Sequence, residues 1–501
     1  MLPGFIDLLS SIFGILSPGT ALLYNILQNS GLVHHGILFL SLTLLYYILV
    51  ELGGTFYSFQ WDILLLETGW LAAICYAPWL HLKVKSRQSL SKQDNANTAK
   101  AALSSSLTAT PAPASTLAIS NEIGALPMRF LLFKLMFMSG VVKIQANCPT
   151  WNKLTALEYH FATQCLPGPL AWYAHQLPPF LLRLSVAMTF LIEIHGAFLL
   201  IFWKGSLRRV GAWMQIFLQI MIILTGNYNF FNALTILLCI PCLEQNYDRD
   251  TGDRADHEED VRGRRIRNSN RKILEVSSWC AIFALAFANM FDIQNVKNEG
   301  SADFQLAISL SWTKQFCEEF INRSVPVAIA LVLFQIGWRI ISLKTSRISA
   351  LVHCVICTMC LGISTVPFLN LSQGLRSDTW TTMKLTQHFV KPYIEYAQPY
   401  HISNGYGLFR RMTGVGRNGI SSDRLGWGGL PPSVVERPEI VLEGHFSSGG
   451  TVQARELNFR WKPGDVAKMP RQVAPHQPRV SMYIFLNKWL IEMPLSDQSL
   501  F

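Results

Sequence analysis

The chain has 501 residues, half of them apolar and only 15% charged, with a formal net charge of +10. A soluble domain carries about 25% charged residues, and residues 1–82 contain no Lys or Arg at all; a water-facing surface cannot be covered that way, so a soluble globular protein is excluded. The basic residues fall in short segments between apolar runs, which is the positive-inside pattern of a membrane protein; no basic stripe interleaved with stacking aromatics points to nucleic acid.

Apolar runs of about 17–25 residues predict membrane spans. Residues 1–16 lack the basic n-region and the cleavage site of a secretory signal, which leaves targeting to a span. The stretch 2–27 is apolar but broken by Pro3, Gly4, Pro18 and Gly19, and reads as re-entrant or as the remainder of a span. The first full span covers 32–50, and a second covers 61–80; residues 1–82 thus form an N-terminal set of membrane helices. Residues 83–127 open with Lys83, Lys85 and Arg87 and continue as a Ser/Thr/Ala/Pro tract. Such a tract cannot bury enough apolar surface to offset its ordering entropy, which predicts a disordered cytosolic linker.

Central membrane helices fill 128–243: a span at 128–144, a loop at 146–178, a span at 180–203, and a stretch 211–243 too long for one upright crossing. Gly226-Asn-Tyr-Asn229 sits in the middle of that stretch and predicts two helices with a turn. Residues 244–274 alternate between acidic and basic clusters, a charged cytosolic loop. C-terminal membrane helices follow over 275–370, with spans near 276–291, 325–341 and 350–369. From 371 to 501 the hydropathy falls, and the runs 438–443 and 456–461 lean towards strand. The expected fold is an all-α polytopic membrane bundle, about 8–9 spans or re-entrant helices, followed by a β-rich lumenal C-terminal domain.

Orientation gives a consistency test. If the basic segments 83–127, 204–210, 244–272 and 343–348 lie on the cytosolic side, they share one face only when 211–243 crosses twice. The segments 146–178 and 292–324 and the C-terminal domain then face the lumen. Two glycosylation sequons, at Asn322 and Asn370, fall on that side.

Ionisable residues inside spans are functional candidates, because lipid is costly surroundings for them. Asp62, Glu67, Lys134, Lys143 and Glu193 are candidate intramembrane ion pairs, while Arg129, Arg183 and His195 complete the set. Among ten cysteines, Cys354, Cys357 and Cys360 read as a soft helical face and Cys239 and Cys242 as a helix end. Cys148 and Cys165 share the lumenal loop, where an oxidising compartment permits a disulfide between them. No nucleophile elbow, zinc-binding His pair or phosphate loop occurs, so no catalytic residue, metal or cofactor is expected.

Several long strings carry a resemblance. They are Phe59-Gln-Trp-Asp-Ile-Leu-Leu-Leu-Glu-Thr-Gly69, Arg129-Phe-Leu-Leu-Phe-Lys-Leu-Met-Phe-Met-Ser-Gly-Val-Val-Lys143 and Pro149-Thr-Trp-Asn-Lys-Leu-Thr-Ala-Leu-Glu-Tyr-His160. Leu170-Ala-Trp-Tyr-Ala-His-Gln-Leu-Pro178 and Thr225-Gly-Asn-Tyr-Asn-Phe-Phe-Asn232 follow. Further on stand Asn404-Gly-Tyr-Gly-Leu-Phe-Arg-Arg-Met-Thr-Gly414, Arg437-Pro-Glu-Ile-Val-Leu-Glu-Gly444 and Ala474-Pro-His-Gln-Pro-Arg479. From about residue 32 to 480 the chain resembles the lipase maturation factors. That resemblance implies a multi-pass protein of the endoplasmic reticulum membrane with a lumenal C-terminal domain. Its role would be to help client proteins, secreted dimeric lipases such as lipoprotein lipase, fold and assemble for secretion, as a chaperone and not an enzyme. The chain departs from the family pattern before residue 32, over 417–436 and after Arg479, which implies a C-terminal domain incomplete at its end.

Partners on this reading are the lipid bilayer and the folding clients. Aromatic and basic side chains in the lumenal strings suit client contact: Trp151, Tyr159, His160, Trp172, Tyr173, His175, Tyr406, Phe409, Arg410 and Arg411. The competing readings are a membrane enzyme and a transporter. The spans resemble, more distantly, the bundle of vitamin K-dependent carboxylases, and an enzyme of that kind would depend on Lys143, Glu158 or His160. A transporter would show repeated halves, and none is visible.

Overall fold

The structure is a computed structural model that describes residues 35–76, 115–202, 205–243, 277, 281–297, 304–342, 348–377, 381–412, 443–448, 451–456, 461 and 469–474. Helices α1 (His35–Gly53) and α2 (Gln60–Leu71) form a first hairpin, and α2 runs on into a π-turn, Ala72–Tyr76. The connection turns at Gly54, whose φ of 50° is a left-handed conformation that glycine adopts without a steric penalty.

Helix α3 (Ser115–Gln145) is the axis of the molecule, and all of residues 123–144 are buried. The loop after it holds a single helical turn, Pro149–Asn152, and two short helices, α4 (Ala156–Thr163) and α5 (Ala171–His175). Helix α6 (Pro179–Phe190) passes through a π-turn, Leu191–His195, into α7 (Gly196–Leu200). Then come α8 (Gly205–Thr225) and α9 (Phe231–Leu243). A short apolar helix, Ala281–Met290, leads into an antiparallel hairpin of β1 (Phe291–Lys297) and β2 (Phe304–Leu310), with Phe291 opposite Leu310. Helices α10 (Lys314–Ser342) and α11 (Ile348–Thr365) follow, the latter extended by a 3-10 turn to Asn370. Beyond residue 412 the described strands are β3 (Glu443–Ser448) and β4 (Thr451–Glu456), a second antiparallel hairpin.

Among the described residues, five helices are long and apolar enough to cross a membrane: Ile123–Gln145, Pro179–Leu200, Gly205–Thr225, Lys314–Ile341 and Leu351–Asn370. Between helices in lipid the hydrophobic effect is weak, so close packing carries the association. Here Phe133 and Phe137 of α3 interlock with Phe198 of α7, Phe320 of α10 and Phe368 after α11. Gly140 is part of the same device. A side chain there would run into Ile194 and Glu193, so glycine lets α3 lie directly against the π-turn.

Contacts between helix ends divide the bundle into two faces. At one face Gln145 donates to the Leu371 carbonyl, Cys317 lies against the Val141 carbonyl, and Gln164 donates to the Thr225 carbonyl. At the other, Arg129 and Arg208 donate to the Pro241 and Cys242 carbonyls, and Gln335 donates to that of Ile201. The two arginines satisfy the open carbonyls at the C-terminal end of α9, where positive charge also meets the negative end of the helix dipole. The helix ends at Gly205, Leu243 and Ser342, next to which the sequence places basic segments, lie on this second face.

Several expectations are corrected. Helix α3 begins at Ser115, inside the stretch 83–127 read as linker, because its apolar packing starts at Ile123 and the helix continues past it. The stretch 211–243 is two helices, but the first already starts at Gly205 and is of full spanning length. The span near 276–291 ends at Met290, where the chain turns to strand. The region 371–412 is not the start of a separate β-rich domain. It is a set of helical turns, Gln373–Arg376, Thr381–Gln387 and Tyr393–Ala397, packed on the bundle. Its hydropathy is low because its polar side chains serve buried charges, as described below. Of the runs read as strands, 438–442 and 457–460 lie outside the described residues, and the hairpin β3–β4 occupies the stretch between them. The helices expected within 1–34, the stretch 77–114 and the charged loop at 244–274 also lie outside the described residues.

Candidate functional site

Helix α3 carries two lysines nine residues apart, and both ammonium groups are buried. Lys134 pairs with Glu67 of α2, each with a side chain wholly shielded from solvent. Its ammonium also donates to Ser364 Oγ and Ser403 Oγ, each at 3.0 Å. An ammonium has three protons, and all three are engaged. The second oxygen of Glu67 accepts from the Tyr406 hydroxyl at 2.7 Å and from the Asn404 backbone N–H at 3.0 Å. The ring of Tyr406 lies 5.6 Å from the ammonium. The network therefore joins α2, α3, α11 and a strap of residues 398–412 laid over the bundle. In α2, Asp62 accepts from the Tyr46 hydroxyl of α1 and fixes the first hairpin.

Two and a half turns further along α3, Lys143 bonds Glu193 at 2.6 Å and the Ser139 carbonyl at 3.0 Å. Glu193 stands in the π-turn, where the added residue per turn re-aims a side chain. Above this pair lies Trp151, its ring 5.4 Å from the ammonium and its indole N–H donating to the Phe409 carbonyl at 2.8 Å. Phe409 itself has a φ of 54°, a conformation that bulky residues rarely take. The strap is thus held by a bond to Trp151 at one of its two left-handed residues, the other being His401 with a φ of 52°.

The loop of residues 146–178 closes over the same face. His160 Nε2 lies 3.0 Å from the Tyr228 hydroxyl, which also donates to Gln164 Oε1 at 2.9 Å. Phe409 sets its edge against both rings, at 5.3 Å from each. Burial, with the Lys143 ammonium nearby, pushes the His160 pKa down to about 4, so the ring is neutral at pH 7. Tyr228 is held well above the usual phenol range, chiefly by burial.

Asn227, in the turn between α8 and α9, makes a contact that no sequence pattern announced. Its side-chain oxygen accepts from the backbone N–H groups of Val473 at 2.8 Å and Ala474 at 3.0 Å. Its amide donates to the carbonyls of Arg471 at 3.1 Å and Pro167 at 3.2 Å. One asparagine thereby replaces a strand neighbour for residues 471–474 and ties them to the loop and the helical turn. Only the Asn-rich string 225–232 hinted at it, since buried asparagines need backbone partners.

The candidate residues separate by position. Trp151 and Tyr406 are buried and bonded internally, so neither is open to a partner. His160 and Phe409 are partly buried within the ring cluster, and Tyr159 is partly exposed. Trp172, Tyr173 and Arg410 are exposed, and His175 and Arg411 are intermediate. The structure carries no Cys148–Cys165 disulfide, which departs from the expected pairing. Cys148 is buried with its Sγ 3.2 Å from Thr150 Oγ1, turned into its own helical turn. Asn322 lies within α10 with its amide packed over Gly374, poor surroundings for a glycan. Asn370 is exposed but engaged by Arg376 at 2.9 Å. Among the described residues no three His, Cys, Asp or Glu side chains gather as a metal-ligand set. The chemistry this arrangement supports is mechanical: closed charge networks that lock one face of a helical bundle.

The fold and site thus define a multi-pass helical membrane protein whose charged interior is pinned by its own C-terminal strap. Residues 4–249 match the family described as the lipase maturation factor transmembrane domain. The chain is 33% identical over 495 residues to lipase maturation factor 2 of Xenopus laevis, covering 95% of this chain and 59% of the relative. Against lipase maturation factor 2 of Mus musculus it is 33% identical over 500 residues, covering 95% and 61%. Against lipase maturation factor 1 of Mus musculus it is 28% identical over 208 residues, covering 42% and 31%. No solved structure matches. The chain belongs to the lipase maturation factor family. It spans about three-fifths of the length of the first relatives it matches. The family match begins at residue 4, ahead of the strings that first suggested it.

Proposed function

We propose that this chain is a factor of the endoplasmic reticulum membrane that assists folding, assembly and secretion of client proteins, dimeric secreted lipases foremost. The observation that carries the proposal is the likeness to lipase maturation factors along 95% of the chain. Supporting it, the loop 146–178, the turn 226–230, the strap 398–412 and the segment 471–474 gather on one face of the bundle. The helix ends next to the basic segments of the sequence lie on the opposite face, which the positive-inside bias assigns to the cytosol. The gathered face is then lumenal, where a secreted client folds.

On this reading the two ion-pair networks are scaffold. They hold the lumenal face in one shape, and the client meets what that face leaves open: Tyr159, His175, Arg410 and Arg411. The test is secretion of active lipoprotein lipase from cells lacking their own maturation factors, with this chain or an empty vector. Restored lipase activity in the medium is the expected result. Unrestored activity with normal amounts of this chain in the reticulum would sink the lipase-client reading. The variant R410A/R411A is expected to lower secretion several-fold while leaving the chain's own level unchanged.

A further inference from the structure

Helix α5 and its flanks present six large apolar side chains to the outside: Leu170, Trp172, Tyr173, Leu177, Phe180 and Leu181. Trp172 is 60% exposed and Tyr173 59%, with their rings edge to face at 5.1 Å. On the inner side, Ala171 packs with Phe161 and Leu182 in a small separate core. That core fixes the roll of the segment, so the two aromatic rings stand outward as part of the fold.

The depth of the segment is set by two spans. The span Pro179–Leu200 starts directly after it, and the span Gly205–Thr225 ends beside it. A backbone bridge between Pro167 and Gly226 and the Gln164 bond to the Thr225 carbonyl hold it to that second end. Residues 168–178 therefore lie at the level where hydrocarbon gives way to water. The exposed patch is also continuous with the surface the spans turn to lipid, through Met188 on one and Met221 and Leu224 on the other. Residues 164–182 contain no Lys, Arg, Asp or Glu, so no charge resists partial insertion.

We propose that residues 168–181 are an interfacial anchor seated in the headgroup region of the same bilayer, with Trp172 and Tyr173 as its inserted side chains. Indole and phenol each combine an apolar body with one polar hydrogen, which suits them to the boundary between acyl chains and ester or phosphate oxygens. The occupant of this surface is phospholipid. The anchor fixes the tilt of the loop 146–178 over the membrane and removes Trp172 and Tyr173 from the surface available to a protein partner. It does not depend on the folding-factor reading.

The test uses the full chain in phosphatidylcholine vesicles, comparing wild type with W172F so that the difference isolates Trp172 emission. Vesicles carry bromine either close to the headgroup end of the acyl chains or close to the terminal methyl. Loss of most Trp172 emission with the shallow bromine, little loss with the deep one, and no response to aqueous iodide is the expected outcome. Emission that survives both brominated lipids and is quenched by iodide overturns the proposal and leaves the patch for a protein. Should W172F alter the fold, a nitroxide on L177C reports the same depth: collisions with membrane-dissolved oxygen support the anchor, and collisions with a water-soluble nickel complex overturn it.

Discussion

Lys134 and Glu67 illustrate how this molecule handles charge at the level of single residues. Taking two ions out of water costs several kcal/mol each, and the structure offsets this with a direct pair and five further polar contacts. Removing one partner leaves the other buried and unbalanced. K134M is therefore expected to destabilise the protein by about 3–5 kcal/mol, while E67L/K134M recovers much of that loss. Unfolding in detergent followed by circular dichroism checks the order of the three proteins. His160 makes the second residue-scale prediction. Its folded pKa of about 4 lies below the ordinary value near 6.5, so the unfolded chain binds a proton more readily between those values. The stability this neutral ring contributes is fully present above about pH 6.5 and is lost as pH falls towards 4. Lowering pH from 7 to 5 should reduce the unfolding temperature of wild type more than that of H160N. Equal slopes for the two proteins would refute the assignment.

Among the elements, the π-turn at Leu191–His195 and the glycine opposite it act together. Glu193 reaches Lys143 only because Gly140 lets the two backbones approach. G140V should push α3 from the π-turn and stretch the ion pair, with a loss of a few kcal/mol, as overpacking of a tight contact costs. The companion change S139A keeps the backbone path and should be nearly silent in the same unfolding assay. The Asn227 clamp is an element-scale joint of another kind, since its side chain supplies what a neighbouring strand would. N227A is expected to free residues 469–474, read out as faster proteolysis near Arg471 in the purified protein, with the helical core intact.

For the whole molecule, the strap and the bundle form one body, so residues 398–412 are part of the helical bundle. Expressed alone, 371–501 should fail to fold, and in the intact chain K134M should expose the strap to protease. Sidedness is tested on sealed microsomes: an impermeant thiol reagent should label D250C and spare R410C until the membrane is opened. The reverse pattern would place the gathered face in the cytosol and end the client proposal.

The sequence by itself determined the membrane class, the approximate position of most apolar helices, the break at Gly226–Asn229 and the family. These follow from local composition and from strings read in order, because a helix in lipid satisfies its backbone within one segment. Tertiary structure decided the rest. Which carboxylate meets which lysine, and that Tyr406 and Asn404 complete the Glu67 network, are relations between residues distant along the chain. Tyr406 reads as a client contact because residues in a stretch of low hydropathy are usually at the surface. It is buried here, with Asn404 beside it, because a charge inside the bundle needs partners, and the strap is the segment that reaches it.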